Sequence, residues 1–118
     1  MIITAVETNL KMKEAPRWWR IALFDFVDNF RRHKNPTAIE EPFEINDDRM
    51  DAVLAGVIES LCDEMDMPIP AWLDNVPACR EPYFVSGVEN LKASAIVQSP
   101  VHFRIRKVFV MENFLHRV

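Results

Sequence analysis

Residues 47–66 contain the feature that most limits how this chain can fold, a long run of apolar side chains with helical spacing. Neighbouring members lie alternately three residues and one residue apart, which places them on one face of an α-helix. The series is Met50, Val53, Leu54, Val57, Ile58, Leu61, Cys62 and Met65. At a rise of about 1.5 Å per residue this helix is roughly 28 Å long, enough to span a small domain. We therefore predict that it is central and that other elements pack around it.

This helix also carries local signals at its start and in its middle. Asn46 or Asp47 is a suitable N-cap, because the side chain of either residue accepts a hydrogen bond from a backbone N–H of the first turn. Gly56 lies in the middle of the helix, where it costs about 1 kcal/mol of helix propensity relative to alanine. We predict that another helix approaches closely at this glycine, which would explain its presence.

A second helix is predicted upstream, from Arg17 to about Lys34. Pro16 is suited to a first helical turn. Asn35-Pro36 ends the helix, because the residue before a proline is biased away from the helical region. Residues 1–16 have weak periodicity and are predicted to form an N-terminal arm or a short helix.

The last third of the chain contains shorter predicted elements. Ser86 followed by Glu89 matches a capping box and predicts a helix from Gly87 to Gln98. Ser99-Pro100 is a second helix-start signal, and Met111 to Val118 is predicted to be a terminal helix.

Residues 108–110 are suited to a short strand, for which the sequence offers no identifiable pairing partner. The presence of 2 glycines against 8 prolines argues against a sheet-rich sandwich with many tight turns. The predicted fold class is therefore mainly α. We expect a single compact helical domain of four to five helices over residues 17–118, with at most one short strand pair.

The sequence predicts a cytoplasmic protein outside the membrane. No stretch approaches the roughly 18 apolar residues that a spanning helix needs, and the opening residues lack the basic leader of a signal peptide. Cys62 falls on the apolar face of the central helix, so we expect a reduced and buried thiol there.

Motifs that support catalysis or bind metals and cofactors are missing from the sequence. The three histidines are scattered, and neither Cys62 nor Cys79 has a near cysteine neighbour of the kind that zinc sites use. No nucleophile elbow, phosphate-binding loop or glycine-rich dinucleotide motif occurs. We therefore predict no enzymatic activity, no catalytic residue, no cofactor and no metal.

Charge is distributed unevenly along the chain, although the net charge is only −4. Residues 40–81 carry twelve acidic and two basic side chains, and basic side chains outnumber acidic ones on both sides of this segment. The acidic middle can attract the basic ends within the fold. Alternatively, the two regions form a surface with both positive and negative charges that binds a partner.

The sharpest basic cluster is Arg104, Arg106 and Lys107, and it is interleaved with Phe103, Ile105 and Phe109. Alternating cations and aromatic rings are suited to a phosphate backbone with stacked bases. They are equally suited to an acidic protein groove, since arginine binds carboxylates as readily as phosphates. A third alternative is that the cations neutralise the acidic middle of the same chain, and all three stay open.

A second cationic row lies on the upstream helix, where Arg17, Arg20 and Arg31 share a stripe with Phe24. Phe24 therefore lies outside the main apolar face. Either a second element covers it, or it forms part of a contact surface together with Arg17, Arg20 and Arg31.

Several motifs of the chain resemble a group of small bacterial proteins without assigned activity. The motifs are Ala71-Trp72-Leu73, Pro82-Tyr83-Phe84, Glu89-Asn90-Leu91-Lys92-Ala93, Ser99-Pro100, Phe103-Arg104-Ile105-Arg106 and Phe109-Val110. Such proteins are similar to those encoded beside nucleotidyltransferase-like genes in toxin–antitoxin-type pairs. The resemblance implies an antitoxin-like protein with such a toxin as its cognate partner, and it assigns no role to any residue.

We therefore expect a non-enzymatic protein-interaction module that contacts a partner through the segment from Phe103 to Phe109. The alternative is a nucleic-acid-binding accessory or regulatory protein, which the net negative charge does not favour. The wide apolar faces for a chain of this length also make a homodimer plausible.

Overall fold

The computed structural model describes residues 1–116, and its centre is helix α3, Asp48–Glu64. Asp47 is its N-cap, as predicted, and its carboxylate accepts a hydrogen bond from the backbone N–H of Met50 at 3.1 Å. Every residue from Met50 to Glu59 is buried, so other elements surround the helix on more than its apolar face. The prediction of a central helix is confirmed.

Gly56 lies where a short helix crosses α3. That helix is α5, Val101–Arg104. A Cβ atom on Gly56 would lie 2.8 Å from Cδ1 of Phe103 and 3.4 Å from the carbonyl oxygen of His102. Only a residue without a side chain permits this approach, so the predicted close contact at Gly56 is confirmed.

The N-terminal residues form a helix that packs into the domain. Helix α1, Ala5–Glu14, is capped by Thr4 and packs against α2, Trp19–His33, and against α3. A 3-10 turn at Pro16–Trp18 joins the two helices. The short helix was one of the two predicted alternatives for residues 1–16, and its buried residues are Ala5, Thr8, Asn9 and Met12.

Asp51 of α3 connects α1 to the start of α3. One carboxylate oxygen accepts from the backbone N–H groups of Asn46 and Asp47, both at 2.8 Å. The other lies 2.9 Å from Asn9 Nδ2 and 2.8 Å from Lys13 Nζ. The buried carboxylate is thus fully compensated, and it fixes α1 on the central helix.

The predicted short strand has a partner that sequence reasoning did not identify. Strand β1, Tyr83–Phe84, pairs in parallel with strand β2, Val108–Phe109. Phe84 also stacks on Phe109, with ring centroids 5.1 Å apart. The pairing brings the segment around Tyr83 and Phe84 next to the C-terminal segment.

The helix predicted from Gly87 to Gln98 begins later than expected. The hydroxyl of Ser86 accepts from Val88 N–H at 3.3 Å, so the predicted capping box with Glu89 does not form. Gly87 has a positive φ of 68°, outside the right-handed helical region. A 3-10 turn at Glu89–Leu91 follows, and helix α4 covers only Lys92–Gln98.

The prediction of a terminal helix from Met111 to Val118 is also wrong for residues 111–116, which the structure describes. Residues 112–115 form turns, in which Phe114 N–H donates to the carbonyl of Met111 at 3.0 Å. Residues 117 and 118 of this prediction lie outside the described residues.

Taken as a whole, residues 1–116 form a compact, mainly helical domain with one short strand pair, so the predicted fold class is confirmed. The radius of gyration is 13.3 Å, close to the roughly 13 Å of a compact domain of this length. Two further 3-10 turns, Pro36–Ile39 and Ala71–Asn75, bring Ile39 and Leu73 into the core. None of the helices in this part of the chain is both long enough and apolar enough to span a bilayer.

Candidate functional site

The predicted cationic cluster is divided between the interior and the surface. Phe103 is fully buried beneath α3, and Arg106 is only 5% exposed. The guanidinium of Arg106 pairs with the Glu59 carboxylate and donates to the carbonyl of Leu73 at 2.8 Å. Phe103 and Arg106 are therefore excluded from the candidate surface, because side chains inside the domain cannot contact a partner.

Arg106 belongs to a buried charged group that ties the C-terminal segment to α3. His102 lies beside the same pair and contacts Asp63 through Nε2 at 2.5 Å. Burial raises the pKa of the Glu59 carboxyl, and the charges of Arg106 and His102 oppose that rise. For Arg106, the alternative that the cations neutralise the acidic middle of the chain is the one observed.

Arg104 and Lys107 remain exposed. The guanidinium of Arg104 donates to the carbonyl of Ser99 at 2.8 Å through Nη2, which positions the side chain beside the end of α4. Lys107 has a positive φ of 59°, and its carbonyl accepts from the N–H of Tyr83. Only these two of the three clustered cations can meet a partner.

The stretch from residue 88 to residue 105 exposes a concentration of large apolar side chains that sequence reasoning missed. We call these side chains the 88–105 surface: Val88, Leu91, Ile96, Val97, Val101 and Ile105. Within α4, the part of the predicted 87–98 helix that forms as an α-helix, only Ala95 is buried. Helices α4 and α5 have seven and four residues, so each buries a single side chain, Ala95 and Phe103, and leaves its other apolar side chains in solvent.

A cavity of about 340 Å³ brings together three of the predicted contact residues. Arg20 and Phe24 come from α2, and Phe109 comes from β2. The remaining walls are mostly apolar and are formed by Val85, Ala95, Val110, Met111 and Phe114. The ring of Phe114 packs 5.5 Å from that of Phe24, so another element covers Phe24 in part, as one of the two alternatives predicted.

Arg20 is held in place at this cavity. Its Nη2 donates to the carbonyl of Val85 at 2.6 Å, and its guanidinium lies 5.2 Å from the ring centroid of Trp19. Arg17 is exposed on the preceding 3-10 turn, lies over Trp18 and does not line the cavity. Arg31, the remaining cation of the predicted row, pairs with Glu64 at 2.8 Å and does not line the cavity either. The predicted row is therefore divided as well.

Neither metal binding nor thiol chemistry has a visible site in the described part of the chain. Within residues 1–116, no three His, Cys, Asp or Glu side chains converge as metal ligands would. Cys62 and Cys79 are buried free thiols, and burial raises the pKa of each to about 11. Thiols of this kind are poor nucleophiles near neutral pH.

Comparison with known proteins found no match to a family model, a curated protein or a solved structure. The resemblance to proteins encoded beside nucleotidyltransferase-like genes therefore stays a prediction.

Proposed function

We propose that this protein is a non-enzymatic interaction module whose partner protein binds the 88–105 surface together with Arg104 and Lys107. Its antitoxin-like role, with a nucleotidyltransferase-like toxin as the partner, is the finer part of the proposal and comes from the sequence resemblance. A cytoplasmic location belongs to the same proposal, supported by the two free, buried thiols.

The observation that carries the proposal is the uneven distribution of exposed apolar side chains. Twelve large hydrophobic side chains are exposed in the described residues, and half of them lie within residues 88–105. Burial of apolar surface contributes about 25 cal/mol per Å², so a partner that covers these side chains would gain binding free energy. Scattered exposure would need no such explanation.

The chemistry of this surface favours a protein over nucleic acid. Val101 and Ile105 lie four residues apart and therefore share one face of the α5 turn. Nucleic-acid surfaces rely on dense positive charge, whereas here Arg106 is engaged by Glu59. A partner with an apolar patch and a carboxylate near Arg104 fits this combination.

Co-expression with the nucleotidyltransferase-like protein that the resemblance predicts next to it tests the proposal. We expect a complex that survives affinity purification, and we expect Val101→Asp with Ile105→Asp to abolish it. Both side chains are about 60% exposed, so the variant should keep the thermal stability of the wild type. Ile21→Asp is the matched control, because this equally exposed α2 residue lies outside the surface.

Three results would decide against this function. The first is that the Val101→Asp/Ile105→Asp variant binds the partner as tightly as the wild type does. The second is that Ile21→Asp abolishes binding to the same extent as that variant. A salt-sensitive shift of duplex or single-stranded probes at about 50 mM salt would favour the nucleic-acid alternative. Light scattering tests whether a second copy of this chain covers the surface instead. In that case the wild type is a dimer and the Val101→Asp/Ile105→Asp variant is a monomer.

A further inference from the structure

The cavity between α2 and the C-terminal segment has the composition of a small-ligand site. Aromatic and aliphatic side chains form most of its walls, with Phe24, Phe109 and Phe114 as the ring-bearing ones. Its volume of about 340 Å³ lies near the lower end of ligand pockets, which are roughly 300–1,000 Å³. The space therefore is suited to a ligand with one ring rather than to an extended molecule.

Positive charge at the rim of this cavity comes from Arg20. No carboxylate of the described residues lines the cavity, so nothing there competes for the guanidinium. Nη2 of Arg20 donates to the carbonyl of Val85, another residue of the lining, and that bond holds the guanidinium at the cavity. Within residues 1–116 its Nε and Nη1 have no protein acceptor that would stop them from binding a ligand oxygen.

Ser86 and Asn113 supply the remaining polar groups of the lining. A hydroxyl and an amide can each donate a hydrogen bond to a carboxylate oxygen. The cavity thus has an apolar interior with one fixed cation and two neutral donors.

We infer that this cavity binds a small monocarboxylate whose body is a single aromatic ring or a branched aliphatic group. The ring enters between Phe24 and Phe109, and the carboxylate pairs with Arg20. Charge and shape both require this orientation, because a carboxylate inside the apolar walls would lose its hydration without a partner. A hydrogen bond to a charged group contributes more than one between neutral groups.

This site is separate from the 88–105 surface and does not depend on the proposed function. Ala95 of α4 lines the cavity and is buried, whereas Ile96 and Val97 of the same helix are exposed. Within α4 the cavity and the 88–105 surface therefore lie on different sides of the helix. They adjoin at Ser86, which lines the cavity and accepts a hydrogen bond from the N–H of Val88.

Titration of the ¹⁵N-labelled full chain with 3-phenylpropionate, followed by amide NMR shifts, tests the inference. We expect saturable shifts at Val85, Phe109 and Asn113. The neutral amide of the same acid should bind about tenfold more weakly, since loss of one charge-assisted hydrogen bond costs about a factor of ten or more. Propionate, which has no ring, should produce no saturable shift at the same concentrations.

Two variants separate a role of Arg20 in binding from a role in folding. Arg20→Gln should lower affinity for the acid about tenfold and leave affinity for the amide unchanged. Arg17→Gln is the control, because it removes a neighbouring cation that does not line the cavity. If Arg20→Gln lowers thermal stability, the comparison of acid with amide on the wild type still tests the charge.

The inference is overturned if acid and amide bind equally, or if the acid produces no saturable shift at these residues. It is also overturned if the small acids do not bind but the co-purified partner protein shifts the same signals. In that case the cavity belongs to the protein interface.

Discussion

Replacement of Arg106 by methionine is the most direct test of how the C-terminal segment is held. The side chains of Arg106 and Glu59 are 7% and 8% exposed, so water cannot solvate either charge after the other is removed. Loss of one partner from a buried ion pair costs roughly 3–5 kcal/mol. A domain of this size is stabilised by only about 5–15 kcal/mol, so we expect Arg106→Met to lose a large part of that stability.

The pair itself should contribute much less than this loss. Nε of Arg106 is buried without a hydrogen-bond partner in the described part of the chain, so its desolvation is incompletely repaid. The Leu73 carbonyl also accepts from Val76 N–H at 3.1 Å and stays satisfied without Arg106. We therefore expect Glu59→Leu combined with Arg106→Met to lie within about 2 kcal/mol of the wild type. Because each single replacement costs roughly 3–5 kcal/mol, the coupling energy should be at least about 4 kcal/mol.

Urea unfolding followed by tryptophan fluorescence measures these differences at pH 7. With a slope of about 2 kcal/mol per M, Arg106→Met should lower the midpoint by about 2 M. Arg104→Met is the control, and as an exposed neighbour it should change stability by less than about 0.5 kcal/mol. The reasoning is refuted if Arg106→Met and Arg104→Met lower the free energy of unfolding equally. It is also refuted if the Glu59→Leu/Arg106→Met variant loses as much stability as the two single replacements added together.

Three further predictions concern packing, the N-terminal helix and the thiols. Gly56→Ala should destabilise the protein by about 1–2 kcal/mol despite the better helix propensity of alanine, and Phe103→Leu should reduce that cost in a double-mutant cycle. Deletion of residues 1–15 should lower the free energy of unfolding by more than about 3 kcal/mol, because buried side chains are lost. Thermal unfolding followed by circular dichroism should then show a shifted or absent cooperative transition. An unchanged transition would mean that this segment is an independent arm. Cys62 and Cys79 should react slowly with a disulfide reagent at pH 8 and rapidly in guanidinium. Their pKa rises from 9.0 to about 11 on folding, so the stability that they contribute is complete below pH 9 and is lost as pH rises through 11.

The elements that the sequence predicts well are those whose signals are local and long. The α3 pattern extends over more than four turns, so its buried face can be read directly, and its N-cap is limited to Asn46 or Asp47, of which the structure has Asp47. Gly56 is predictable for a related reason, since an unfavourable residue in a good helix needs a steric cause. In contrast, β1 and β2 contain two residues each and are defined by their pairing with each other. A pairing between residues about 25 positions apart leaves no periodic signal in either segment.

The candidate surfaces were predictable only in part, because exposure is a property of the assembled fold. The sequence identified Arg20, Phe24 and Phe109 as contact residues but gave no reason to place them around one cavity. The 88–105 surface was missed because apolar residues at helical spacing are usually buried. The positive φ of Gly87 shortens the first helix of that region, and this effect on exposure cannot be read from composition.

The end of α5 explains why the basic cluster divides as it does. Arg104 is the last residue of the helix, whereas Arg106 lies in the turn that follows, where its N–H donates to the carbonyl of the buried Phe103 at 3.0 Å. Ser99, Phe103 and Arg106 are buried, whereas Val101, Arg104 and Ile105 are exposed. Burial of the first set thus fixes the orientation in which the second set faces solvent. A charge reversal at both arginines would combine a folding defect with a surface change, so Arg106 has to be tested by stability and Arg104 by binding, each in its own variant.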